Sequence, residues 1–261
     1  MFIVLDISLK TFKYEVKYQW RKYLILTAHQ PTYLPWLGTF HKFLLADTFC
    51  FFDIAQYQKK EWDNRNKILS QGKELMLSVP VKSQNHFSKT IGEINIDNST
   101  NWSQKHYKAI SLNYKNHPYF NNHKNFLENM YLHKKWNKLV DINTYFFRYI
   151  FNLLDKDARI ISASDYDFTG KKSELVLDMC KKLGASTYIF GGEGESYADK
   201  ASFKNAKIDL IFQKYQHPSY RQQGNKNNFV SHLSILDLIM NYDNNCIKSI
   251  ILKNNLVIKP F

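Results

Sequence analysis

The feature that most restricts the fold is a strand, loop, helix and strand compressed into the first fifty-odd residues. Tyr23 to Thr27 is an apolar, strand-like run. Trp36, Leu37, Phe40, Phe43 and Leu44 then repeat at the spacing of one helix face, and Thr48 to Phe52 reads as a second buried strand ending at Asp53. That order is a βαβ unit, which belongs to a parallel sheet whose ligands sit over the carboxyl ends of the strands. The loop between strand and helix, His29-Gln30-Pro31-Thr32-Tyr33-Leu34-Pro35-Trp36-Leu37-Gly38, is thereby expected where a small molecule would be held, with Asp53 at the neighbouring strand end.

A similar alternation returns late in the chain. Arg159 to Ala163 reads as a strand, Lys172 to Leu183 as a helix stopped by Gly184, and Ser186 to Gly191 as the next strand. Gly191-Gly192-Glu193-Gly194 follows at once, so backbone N–H groups there can approach a ligand oxygen. The turn lacks both the GxGxxG order and a GK[ST] ending, which excludes a dinucleotide fingerprint and a P-loop. Ala206 to Phe212 gives one more strand. Ser231 to Asn241 reads as a short helix capped by Ser231, with Asp237 on its apolar side as either a buried, paired carboxylate, the favoured reading, or a site residue.

Between these halves the pattern changes. Asn66–Leu69 and Leu75–Val81 read as a hairpin around Gln71-Gly72-Lys73, and Ile91 to Ile96 alternates like a half-buried strand. Trp102 to Tyr114 and Lys124 to Leu154 are amphipathic helices separated by His117-Pro118. Their aromatic residues are spaced as a packed face rather than as a platform for stacked bases. The expected architecture is therefore α/β, with Rossmann-like βαβ units in two halves and a helical segment inserted at about 100–155. Residues 1–22 are expected to be an appendage, 23–241 the α/β domain, and 242–261 a C-terminal strand or tail.

Bulk properties remove several classes. No apolar run is long enough to span a bilayer, and Arg148 interrupts the most apolar one, Tyr145 to Leu154. No signal-peptide order opens the chain, and its three cysteines are scattered, so a cytoplasmic setting is expected. The nine histidines show no metal-ligand spacing, and no metal site is expected. The net charge of +13 favours anionic partners. Arginine stands only at 21, 65, 148, 159 and 221, so dispersed surface lysine accounts for most of that charge.

The motifs resemble those of the WbqC-like proteins of bacterial surface-polysaccharide clusters. The resemblance is carried by His29 to Gly38 with Lys42, Ala46-Asp47 and Asp53, then by Asn64-Arg65-Asn66, Val79-Pro80-Val81 and Trp102. It continues through Leu183 to Tyr188, Gly191 with Tyr197, Tyr220 with Gln222, and Leu233 to Asp237. It covers roughly residues 24–241 and implies a protein encoded among O-antigen or capsule genes, often beside amino-sugar pathways. Two positions depart from the pattern. A paired Ser-Ser after the Arg159 strand is Ser162-Ala163-Ser164, and the glycine after the last helix is replaced by Tyr242-Asp243.

The reaction expected from these residues is transfer of an acyl or aminoacyl group to the amine of a nucleotide-linked sugar. His29 is the expected base, Asp53 its orienting carboxylate or the amine's partner, and Lys42 and Arg65 the partners of diphosphate or carboxylate oxygens. Tyr33, Trp36, Tyr197 and Tyr220 would line sugar and base, with Gln30, Gly38, Asn64, Gly191, Gly192 and Gln222 as further substrate contacts. Two alternatives stand beside it. One is an adenylate-forming ligase using ATP and Mg²⁺, and the other is a module that binds RNA such as an aminoacyl-tRNA.

Overall fold

The computed structural model describes residues 23–82, 86–223 and 229–256. The expectations for residues 1–22 lie outside them. Five strands form one parallel sheet: β1 (Ile25–His29), β2 (Thr48–Phe51), β5 (Arg159–Ser162), β6 (Thr187–Phe190) and β7 (Asp209–Phe212). Their spatial order is β5-β2-β1-β6-β7. The chain starts in the middle, builds outward through β2 and β5, then returns to the other side of β1 for β6 and β7. The early and late βαβ runs therefore share one sheet, and the strand order reverses between β1 and β6, the place where doubly wound sheets open a crevice. Separately, β3 (Arg65–Ser70) and β4 (Lys73–Ser78) make an antiparallel hairpin. Its turn residues Gln71 and Gly72 both have positive φ (50° and 75°), as a two-residue hairpin turn demands.

Both faces of the sheet are covered. On one, α1 (Leu37–Leu45) and α4 (Leu139–Leu154) pack Phe40, Phe43, Phe147 and Phe151 onto Phe49 and Phe51 of β2. Phe43 and Phe151 stack with centroids 3.8 Å apart. On the other, α5 (Ser173–Leu183) and α6 (Lys200–Asn205) bury Leu26, Cys50, Tyr188 and Phe190 under Val176, Met179 and Phe203. Burying one such aromatic contributes about 3 kcal/mol, so the two layers fix the sheet rigidly. Gly184 ends α5 in the left-handed region (φ 70°), as its position in the sequence requires.

Several local expectations give way. The stretch Lys124 to Leu154 is three pieces: α3 (Phe120–Glu128, after α2, Trp102–Tyr114), a π turn over Asn129–His133, and α4. Ile91 to Ile96 is not a strand. Thr90 and Glu93 form a capping box around a 3-10 turn, Ile91–Glu93, and Asn95 and Ile96 make only isolated bridges. The last helical region starts later than expected, with Ser234 rather than Ser231 as the cap of α7 (Ile235–Asn241). Residues expected as a terminal strand or tail instead include α8 (Asn244–Leu252), capped by Asp243. Among the described residues no helix is long and apolar enough to cross a membrane.

Candidate functional site

The carboxyl ends of the strands form one edge, where His29, Lys42, Asp53 and the Gly191 turn lie. Lys42 projects from α1 to the reversal point between β1 and β6. It is only 5% exposed, and its Nζ donates to the Ala28 carbonyl at 2.9 Å. A Cβ placed on Gly191, just past β6, would lie 4.0 Å from that Nζ. No carboxylate pairs with Lys42 among the described residues. Burial pushes the amine down to about 8. A buried ammonium whose one protein acceptor is a carbonyl is costly to maintain and would be relieved by an anion.

His29 ends β1 beside it, partly buried. Its Nδ1 lies 2.7 Å from the Gln30 carbonyl, which can only accept, so Nδ1 carries the proton. Nε2 then accepts from the Thr39 hydroxyl at 3.1 Å. Burial, then the charge of Lys42, pull the imidazole down to about 3. The expected near-neutral base is thus a neutral ring with both nitrogens engaged, because α1 brings Thr39 and Lys42 up against it.

Asp53, past the end of β2, is buried and held by the turn after β5. Ser164 donates its backbone N–H to Oδ1 at 3.0 Å and its hydroxyl to Oδ2 at 2.6 Å. One hydroxyl of the Ser162-Ala163-Ser164 segment therefore has a definite partner despite the inserted alanine. Asp53 lies in the wall of a cleft of about 410 Å³ that also takes in Glu93, Asp141, Thr144, Arg148 and Ser162. Thr90 donates to Glu93 through N–H and hydroxyl, which lowers that carboxyl below its usual range. The Arg148 guanidinium sits 5.7 Å from the centre of the Phe51 ring. It makes no ion pair among the described residues.

Most of the other expected site residues make contacts within the fold. Tyr33 is fully buried, with its hydroxyl 2.8 Å from His106 Nδ1 and 2.5 Å from the Tyr131 hydroxyl. Asn66 donates to the Tyr33 and Leu34 carbonyls, and Asn143 on α4 donates to those of Pro31 and Asp63. The His29 to Gly38 loop is therefore clamped by the hairpin and the helical segment. Asn64 donates to the Val79 carbonyl, and Arg65 Nε to that of Glu61. No hydrogen bond or ion pair joins His29, Asp53 and Arg65 among the described residues; each is committed elsewhere. Tyr220 and Gln222 both donate to the buried Asp237 carboxylate, as does Tyr114. Trp36 folds over Gly38 and stacks on His232, with centroids 5.4 Å apart. Tyr197 stays exposed beside the glycine turn, edge-on to Phe190.

Arg148, Ser164, Glu93 and Asp141 were not expected at the site. Arg148 did leave a signal: it is the one charge inside the apolar run from Tyr145 to Leu154. Among the described residues no group of three or more His, Cys, Asp or Glu side chains is arranged to hold a metal ion.

Residues 30–249, from the first loop motif into α8, match the model of the WbqC-like protein family. The chain is similar to the "Uncharacterized protein Rv1507c" of Mycobacterium tuberculosis (strain ATCC 25618 / H37Rv). The two are 31% identical over 214 residues, 81% of this chain and 91% of that protein. No solved structure gives a significant match. A family match over most of the length places this chain in the WbqC-like protein family.

Proposed function

We propose that this protein is a transferase of surface-polysaccharide assembly that joins an acyl or aminoacyl group to the amine of a nucleotide-linked sugar. The observation that carries the reading is Lys42, a buried ammonium without a carboxylate partner at the β1–β6 reversal, against Gly191. It suits a phosphate of the nucleotide moiety. Asp53 follows β2, the strand next to β1, one strand spacing from Ala28 and two from Gly191, or about 5–10 Å, which is within the reach of a phosphate plus one sugar ring. The sugar amine would then face Asp53. In the reaction a C–N bond forms, the bond from the acyl carbon to its leaving group breaks, and the amine gives up one proton. In this reading Asp53, rather than the doubly engaged His29, accepts that proton; the reading is supported by both His29 nitrogens having partners within the protein. The setting comes from the family motifs.

Thermal protection by a panel of nucleotide-linked sugars tests the reading. Sugars with a free amine should raise the melting temperature more than their hydroxyl counterparts, and Asp53→Asn should erase that difference. Equal protection by both kinds would remove the amine from the reading.

A further inference from the structure

The cleft beside Asp53 has a composition that the nucleotide does not use. Its walls carry three carboxylates, Asp53, Glu93 and Asp141, and one guanidinium, Arg148. Lys138, whose Nζ donates to the Gly92 carbonyl, and Lys89 stand near Glu93, so the rim carries both signs of charge. Such walls offer separate partners for an ammonium and for an anionic oxygen group. The guanidinium is available. It forms no ion pair among the described residues and lies over the Phe51 ring, which holds the planar group at the strand ends. Asp141, Thr144 and Arg148 lie three and four residues apart along α4, so they form one stripe facing the cleft. Glu93 is pinned by its two bonds from Thr90, and Asp53 by its two from Ser164. The anionic wall is thereby preset before any ligand arrives.

We infer that this cleft binds a small zwitterion, a molecule carrying both a primary ammonium and an anionic oxygen group. The anionic group sits on Arg148, and the ammonium lies among Asp53, Glu93 and Asp141. A free α-amino acid and a phosphorylated amino sugar both have this chemistry. The inference extends the proposed function by naming the chemical class this part of the edge selects. It rests on that reading only in placing the cleft beside the nucleotide.

Calorimetric titration of the full chain distinguishes the cases. One arm uses alanine, serine and glutamate, a second uses glucosamine 1-phosphate, and acetate and glucosamine serve as single-charge controls. At least one zwitterion should bind about tenfold or more tighter than either control, and the arm that binds identifies the source. Arg148→Gln and Asp141→Asn, both at exposed positions, should each weaken it at least about tenfold without changing the melting temperature. Zwitterions no tighter than the controls, or an Arg148→Gln variant with unchanged affinity, would overturn the inference. Nucleoside diphosphates are titrated separately. Their failure to bind would count against the Lys42 reading and leave the zwitterion result standing.

Discussion

The ammonium of Lys42 lies 2.9 Å from the carbonyl oxygen of Ala28, the residue just before His29, and so ties α1 to the end of the central strand. Removing the charge while keeping the length of the side chain separates the cost of burying it from its use. Because burial lowers the amine from 10.5 to about 8, the unfolded chain holds a proton between those values that the folded chain does not. Stability should therefore rise with pH across that window, and the gain should be lost as pH falls through 8. The Lys42→Met variant should lack this rise and should be at least as stable as the parent at neutral pH. Urea melts at pH 7, 8.5 and 10 check both. A variant that keeps the rise would assign it to another group.

His29 makes the opposite end of the pH range informative. Its imidazole is held at about 3 against an ordinary 6.5, so its contribution is complete above 6.5 and is lost as pH falls through 3. His29→Gln, which can still reach the Thr39 hydroxyl, should flatten the acid limb of the stability curve. The same variant should retain transfer activity, since both ring nitrogens are engaged within the protein. Loss of turnover with an unchanged acid limb would restore His29 as the base.

Tyr33 tests whether the loop motif is structural. Tyr33→Phe leaves His106 Nδ1 and the Tyr131 hydroxyl without their shared partner inside the core. The expected loss is about 1–3 kcal/mol in denaturant unfolding, with ligand affinity unchanged. A loss of affinity at full stability would return Tyr33 to the binding surface.

Gly38 is fixed by the ring of Trp36. A Cβ there would fall 2.4 Å from the indole, so Gly38→Ala must push the ring off its stack on His232. A shift in tryptophan fluorescence and a stability loss of about 1–3 kcal/mol are expected. An unshifted spectrum would show that the indole does not rest there.

Periodicity made the parallel sheet legible because its signals are local. The strand ending at Asp53 and the helix stopped by Gly184 carry their own boundaries. Where an element's end depends on distant partners, the pattern misleads. Nothing in Asn129 to His133 marks a break, since the segment contains neither Gly nor Pro, yet the π turn and loop that follow divide the long helix. Ile91 to Ile96 alternates like a strand, but Thr90 and Glu93 cap a 3-10 turn instead. At the site, Lys42 and the glycine turn come together because β1 and β6 are neighbours. The loop from His29 to Gly38 stands out in the sequence because it is rich in polar and aromatic groups. The groups that satisfy it, His106, Tyr131 and Asn143, come from about 75 to 110 residues away and leave no trace in its spacing. The trio around Arg65 shows the same limit: an arginine between two asparagines suggested a set of oxygen-binding donors, and the amides of Asn64 and Asn66 are bonded to backbone carbonyls that their spacing does not reveal.

The central claim is that a buried ammonium at the strand reversal receives a phosphate. Calorimetry with a panel of nucleoside diphosphates, run on the parent and on Lys42→Met at pH 7 and pH 9.5, tests it most directly. At least one diphosphate should bind the parent at pH 7, weaken about tenfold at pH 9.5 as Lys42 loses its proton, and fail to bind the variant. Equal affinity for parent and variant at pH 7 would contradict the account.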